Sequence, residues 1–439
     1  MIQRPKGTYD VNGSMGKKIL FIQTLLEELM QKYNYEYMRT PIFEASELFH
    51  RGVGETSDIV TKETYDFKDR GDRLNTLRPE GTAGIVRSFI ENKMYATHSV
   101  PLKAWYFGPN FRYERPQSGR FREFYQFGVE VLGVKSPMAD AEVISIPYNL
   151  YKILGLKGIK VNLNSLGDLE SRNNYREALK EHFKDSLDTL CEDCRNRFLK
   201  NPLRILDCKV DKDKDIMKNV PKTIDYLNEE SLNYFNEVKK CLDALGISYE
   251  VNPNVVRGLD YYNDIVFEIE ADIEKFGAQN VLCGGGRYDK LVETIGGPAT
   301  CGVGFALGLE RLLTALEYEE IELPINDYLD VYIAPMNKEY NDYAITILNG
   351  LRLSGFSTDI DFNERNLKSN FKQADRLNAR YIILIGEDEV KNNILTVKNN
   401  QTKEEAKVEL INLVEFLDSD FDGCDDDCCC CGDCEGHDH

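Results

Sequence analysis

The run REFYQFGVEVLG at 122–133 constrains the fold more than any other part of this chain. Side chains alternate across a strand, so Tyr125, Phe127, Val129 and Val131 share one face while Phe124, Gln126, Gly128 and Glu130 share the other. The first face is apolar and needs a core against it. The second carries an amide and a carboxylate around a glycine, which reads either as a solvated sheet face or as a surface on which a ligand lies. Upstream, Phe111-Arg112-Tyr113-Glu114 and the turn RPQSGR complete an antiparallel hairpin whose loop is full of donors. The chain has no GxxxxGK[ST] loop and no strand-linked GxGxxG, so any nucleotide must be held another way.

Around this hairpin, Ile19, Ile22, Leu25, Leu26 and Leu29 predict an amphipathic helix over 15–33. Two strand-like runs in ETYDFKDRGDRLNTLR flank the turn Asp69-Arg70-Gly71-Asp72. Pro79-Glu80-Gly81-Thr82 follows, with Thr82 a candidate cap for the helix AGIVRSFIENKM and Glu80 in a tight strand-to-helix turn. Further strands are expected in LKAWYFGPNFRYE, IKVNLNSLG, RGLDYYNDIVFEIEA and NVLCGGGRYDKL, a helix near 138–154, and a strand running into a helix at VGFALGLERLLTAL. Between about 168 and 250 the chain is lysine-rich, acidic and helical in pattern, and reads as an insertion. After the linker EYEEIELPIND, residues 329–417 read as a small separate α/β domain of four or five strands.

At 439 residues the chain exceeds the size of one core, so two or three domains are expected. With 42% hydrophobic and 29% charged residues, it is not a largely disordered chain. No apolar run approaches the roughly 18 residues of a membrane span, and MIQRPKGTYDVNG lacks the apolar core of a signal peptide, which makes the expected location cytoplasmic. Of the net charge of −20, nine uncompensated acidic residues lie between Asp418 and His439; removing those nine leaves −11. Contact with nucleic acid must then rest on a local basic patch. Six of the 12 cysteines crowd the same tail, and the scattered remainder suits a reducing compartment.

Gly302-x-Gly304-x-x-x-Gly308-x-x-Arg311 permits close approach of a strand and a helix, with an arginine on the helix's first turns. Together with the arginine-bearing hairpin and Glu80, it forms an ordered constellation. FRYE with its loop resembles motif 2 of the class II aminoacyl-tRNA synthetases, GVGFALGLERL resembles motif 3, and the segment around Pro41 is similar to motif 1. Arg257-Gly258-Leu259-Asp260-Tyr261-Tyr262 and Gly284-Gly285-Gly286-Arg287-Tyr288-Asp289 resemble the two histidine-specific signatures of the histidyl-tRNA synthetase family. The resemblance runs from about residue 3 to 417. It implies an α+β protein: a class II synthetase-type antiparallel-sheet catalytic domain over 1–325 with the helical insertion, a small α/β anticodon-binding domain over 329–417, and a homodimer joined partly through motif 1.

The resemblance also implies ligation of L-histidine to histidine tRNA through a histidyl-adenylate formed from ATP. Planar guanidiniums suit phosphate oxygens. Arg112 would hold the α-phosphate and the substrate carboxylate, Arg311 the γ-phosphate, and Arg257 the α-phosphate from the other side, with Glu114 on the adenine amino group. Glu80, Thr82 and Gln126 would hold the α-ammonium, Glu130 and Tyr262 the two imidazole nitrogens, and Tyr288 would line the same pocket. Mg²⁺ is expected on the β and γ phosphates of ATP. Arg120 and Arg122, beside the motif 2 loop, would meet the tRNA acceptor end, Arg122 at the position associated with the extra 5′ guanosine; a solvent-facing strand arginine is the other reading. Lys368, Lys372, Arg376 and Arg380 recur every four residues through one helix, either as a stripe toward phosphates or as a solvated face.

Cys191-x-x-Cys194 and Cys208 offer three thiolates where a closed zinc site needs four ligands, so free thiols are expected. The tail over 418–439 reads as disordered, its stretch 424–439 having no apolar residue to fold around; Cys428, Cys429, Cys430, Cys431, Cys434, His437 and His439 make a soft-metal sink the minor alternative. The rival function is a catalytically silent synthetase-like regulatory subunit of histidine biosynthesis. Retention of Arg112, Arg257 and Arg311 and the extra C-terminal domain favour the enzyme.

Overall fold

The computed structural model describes residues 1–421 except 55, 56, 58, 99, 117, 118, 207, 209, 212, 258 and 277–279. The Gln117-Ser118 part of the hairpin turn, Gly258, and the tail with all its cysteines and histidines lie outside the described residues. The chain divides into two compact units, Met1–Leu323 and the part from Pro324 onward.

The first unit is an eight-stranded sheet in the order Glu36–Tyr37, Leu102–Phe111, Glu123–Leu132, Gly302–Gly308, Val281–Arg287, Asn263–Ala271, Ile159–Ser165, Tyr249–Val251. The six inner strands pair antiparallel, and the two short edge strands add in parallel. The alternation in Glu123–Leu132 sets the layering. Phe127, Val129 and Val131 are buried in one core with Phe267, Ile269, Phe305 and Leu307, together with residues of the helices Gly13–Tyr33 and Pro137–Ile153. The other face is left for chemistry.

The stretch read as an insertion rejoins this core before it ends. Phe235, Val238 and Leu242, at spacings of three and four on the helix Glu229–Ala244, are buried in the same cluster, and Tyr249–Val251 extends the sheet. A separate three-stranded sheet, Phe43–Ala45, Leu74–Leu77 and Tyr65–Lys68, contains the hairpin expected around Asp69–Asp72. Thr82 does not cap its helix, which spans Thr82–Glu91. Glu80 does, because its carboxylate reaches the Thr82 and Ala83 amides at 2.9 and 2.7 Å.

The second unit is a five-stranded sheet in the order Thr358–Ile360, Leu329–Pro335, Ala379–Ile385, Ile394–Asn399, Glu405–Glu409. Its first three strands are parallel and the rest antiparallel. The basic stripe is shorter than expected. Lys368, Lys372 and Arg376 lie exposed on the helix Leu367–Arg376, but the helix ends there and Arg380 belongs to the next strand, where its guanidinium lies 5.3 Å from the Tyr328 ring. The last helix, Leu413–Phe421, runs past the boundary drawn after Leu417. Among the described residues no helix is long and apolar enough to cross a membrane.

Candidate active site

Opposite the core, the first unit has a cavity of about 440 Å³. Of the residues singled out in the sequence, it is lined by Glu80, Thr82, Arg112, Glu114, Arg120, Gln126, Arg257, Tyr262 and Arg311. Elements from one end of the unit to the other meet here: the strand-to-helix turn at 79–82, the central hairpin, the strands beginning at Asn263 and Val281, and the start of the helix Leu309–Tyr318.

Arg112 donates from Nε to the Pro79 carbonyl at 2.9 Å, and its guanidinium lies 5.2 Å from the Phe124 ring. Arg311 donates to the Val281 carbonyl at 2.6 Å, and Arg120 pairs with Glu114 at 2.9 Å. Burial, with the positive charges of Arg120 and Arg112 added, holds the Arg311 guanidinium below its ordinary pKa. Arg257 is ion-paired with Glu268; burial alone would pull its pKa down, but that carboxylate holds it up. Its Nε is buried and makes no hydrogen bond among the described residues. An arginine cluster in this state favours an incoming anion.

Beside it stands a cluster of carboxylates and tyrosines. Glu130 is 1% exposed and accepts from the Thr82 hydroxyl at 2.6 Å, from Tyr106 at 3.3 Å and from Tyr288. Burial pushes its carboxyl up to about 8, with the hydroxyl bonds opposing. Burial also raises Glu80, against the pull of its two amide bonds and of Arg112. Gln126 accepts from Asn110 at 2.7 Å. The Tyr261 ring lies 4.7 Å from that of Tyr262, tilted, and meets that of Tyr288 edge-on at 5.7 Å.

Three placements differ from expectation. Glu130 and Tyr288 are buried and not among the residues lining the cavity, Glu130 being bonded to Thr82 of the wall. Gly128 does not leave an open bed for a ligand: a Cβ there would fall 2.1 Å from Tyr106 Cζ, so the glycine is a socket for that ring. Arg122 is folded back on the hairpin, its guanidinium 3.8 Å from the Tyr113 ring and its Nε on the Glu114 carbonyl at 3.2 Å. Sequence reading missed Tyr106, Glu268 and Glu310. The signal for Glu268 was Gly284, its register partner, where a Cβ would meet the Arg257 guanidinium at 2.5 Å. Glu310, next to Arg311, accepts from Tyr9 at 2.6 Å and from the Tyr125 amide at 2.8 Å.

The family model for histidyl-tRNA synthetase matches residues 7–312, and a model described as an anticodon binding domain matches residues 330–420. The chain belongs to the histidyl-tRNA synthetase family. It is 51% identical over 418 residues to the histidine–tRNA ligase of Staphylococcus haemolyticus and 49% identical over 419 residues to that of Bacillus subtilis, covering in each case 95% of this chain and 99% of the relative. Among solved structures, apo histidyl-tRNA synthetase from S. aureus superposes with a TM-score of 0.82 at 45% identity, over 95% of this chain and all of that one. The histidyl-tRNA synthetase of Nostoc, at 20% identity and a TM-score of 0.68, shares the fold.

Proposed function

We propose that this chain ligates L-histidine to histidine tRNA with ATP, by way of a histidyl-adenylate. The observation that carries this reading is the meeting, along one cavity, of an arginine cluster with a buried unpartnered N–H and Glu80, Tyr261 and Tyr262, behind which the two histidine-type signatures are joined by Tyr261 against Tyr288, itself bonded to Glu130. The full-length likeness to named histidine–tRNA ligases supports it and disfavours the silent regulatory subunit.

In the first step an oxygen of the histidine carboxylate attacks the α-phosphorus of ATP, the bond to the bridging oxygen breaks, and pyrophosphate leaves. Positioning and charge neutralisation are what the protein supplies. Arg112 bridges the substrate carboxylate and the α-phosphate, Arg257 faces the same phosphate with its free Nε–H, and Arg311 takes the γ-phosphate. Glu114 meets the adenine amino group. Glu80, Thr82 and Gln126 accept from the α-ammonium, for which Glu80 keeps lone pairs beyond those spent on the helix amides. Tyr262 and Glu130 take the imidazole nitrogens; the 3.3 Å Tyr106 bond is the longest of those at Glu130 and the easiest for a ring N–H to replace. Tyr288 orients that carboxylate from behind. In the second step a ribose hydroxyl of the tRNA attacks the adenylate carbonyl and AMP leaves.

Glu268 and Glu310 give the cavity wall hard oxygens that suit Mg²⁺. The ion would arrive on the β and γ phosphates and neutralise their charge. Arg120 and Lys368, Lys372 and Arg376 are the proposed tRNA contacts, and Arg122 reaches the acceptor end only by leaving Tyr113. The exposed Phe43 and Phe67, ring centroids 5.8 Å apart on the three-stranded sheet, support a homodimer through the motif 1 region. The proposed location is the cytoplasm, with the tRNA substrate. Histidine-dependent exchange of pyrophosphate into ATP, then charging of histidine tRNA, tests the reading. Histidine binding without either reaction would replace it with the regulatory one.

A further inference from the structure

The loop 191–211 carries a cluster that catalysis does not use. Cys191 caps the helix Glu192–Lys200, its Sγ accepting the Cys194 amide at 3.4 Å. The same turn recurs downstream, where Cys208 Sγ accepts the Asp211 amide at 3.4 Å. The two turns face each other: Cys191 Sγ lies 3.7 Å from Cys208 Sγ, and Asp211 Oδ2 lies 3.8 Å from Cys208 Sγ. One ligand atom from each of Cys191, Cys194, Cys208 and Asp211 falls within 4.8 Å of all the others. The three cysteines are unlinked, and Cys194, Cys208 and Asp211 are 0, 3 and 0% exposed.

The fourth ligand that the sequence reading found missing is therefore present, as a carboxylate three residues after Cys208, just as Cys194 follows Cys191. A zinc ion bonded at about 2.3 Å to sulfur and about 2.1 Å to oxygen holds tetrahedral ligands about 3.6–3.8 Å apart, the spacing of the Cys191–Cys208 and Cys208–Asp211 pairs, with every other pair within 4.8 Å. Amides aimed at Cys191 and Cys208 supply the outer hydrogen bonds that thiolate ligands receive. The Cys191 amide reaches Asp211 Oδ2 at 2.9 Å and Lys214 lies 2.6 Å from Oδ1, so the carboxylate is oriented and the excess negative charge of three thiolates and a carboxylate is partly offset.

We infer that Cys191, Cys194, Cys208 and Asp211 bind one structural zinc ion. Its place in the loop gives it a task. Between the two turns, Asn201 and Arg204 reach Asp260 Oδ1, both at 3.1 Å, and Asp260 precedes Tyr261 and Tyr262 in the cavity wall. The ion closes the base of the loop that holds Asp260, and so is a positioning element for the tyrosines. Zinc binding stands apart from catalysis; only the effect on histidine affinity rests on the synthetase reading.

The test compares the full chain with point variants purified with zinc and reductant, so that the tail cysteines are common to all. Cys194→Ser with Cys208→Ser is expected to carry one zinc equivalent less than the unaltered chain, and Asp211→Cys to keep it. With cobalt, Asp211→Cys should show stronger thiolate-to-metal absorption than the unaltered chain, a readout that survives if the serine variant fails to fold. Zinc content equal in the serine variant, identical cobalt spectra, or a Cys191–Cys208 disulfide by intact mass in place of metal would overturn the site. Metal loss is also expected to weaken histidine binding several-fold in calorimetry, with ATP binding less affected; unchanged histidine affinity after loss of the ion would overturn the positioning role.

Discussion

In the carboxylate–tyrosine cluster each oxygen of Glu80 and Glu130 already has a protein donor, whereas in the arginine cluster guanidiniums crowd one another and a buried N–H of Arg257 has no partner. The first is finished before substrate arrives; the second is completed by it. A satisfied buried network is rigid and selective, because a ligand that displaces one of its bonds must supply an equally good one in its place. A crowded cationic wall is raised in energy until an anion binds, which suits charge that grows in a transition state. The two clusters are accordingly expected to fail differently.

The largest effect should come from Arg257→Ala, which removes a contact made to developing charge. Adenylate formation should slow about 100- to 1,000-fold, with histidine affinity nearly unchanged. Normal turnover with only a raised histidine KM would erase the contrast. Glu130→Gln should act the other way, weakening histidine binding about ten- to a hundredfold while leaving ATP binding intact, as calorimetry with each ligand alone would register. Next comes Gly128→Ala, whose methyl meets the Tyr106 ring at 2.1 Å. A loss of about 1–3 kcal/mol in denaturant unfolding is expected, and Tyr106→Ala in the same chain should recover part of it.

The last effect concerns pH. Because the folded carboxyl of Glu130 is pushed up to about 8 from an ordinary 4.5, the folded state binds the extra proton between those values. Stability should then fall as pH rises through that window, by the linkage between proton uptake and folding. Unfolding curves at several pH values should show a shallower fall in Glu130→Gln. An identical slope would mean that Glu130 is ionised at no cost in the folded protein.

Much of this was legible in the sequence. The alternation at 122–133 fixed which face of the hairpin meets the core, and Glu80, Arg112, Glu114, Arg120, Arg257 and Arg311 already named most of the charged residues of the cavity wall. What escaped was set by pairing between distant strands. Nothing local to Gly128 says that Tyr106 lies beside it, and nothing local to Glu268 says that it faces Gly284 and the Arg257 guanidinium. Glu80 displaced Thr82 as the cap because a carboxylate can span two amides at once. Asp211 was overlooked because a lone aspartate in an acidic stretch has no signature until a second turn folds against it.

The glycines of this sheet give the family a rule of inheritance. Gly128 exists for the ring of Tyr106, and Gly304 for the carboxylate of Glu130, which a Cβ would meet at 2.0 Å. Neither glycine contributes a reacting atom, but Gly128 tolerates change only when Tyr106 shrinks in step, and Gly304 not even when Glu130 does, because the Val129 carbonyl lies 2.4 Å from the same Cβ position. In a drifting lineage Gly128 and Tyr106 form a single heritable character, whereas Gly304 is held by the backbone as well as by Glu130. A chain that has lost one half of such a pair has given up the shape of its amino-acid pocket, even with every arginine still in place.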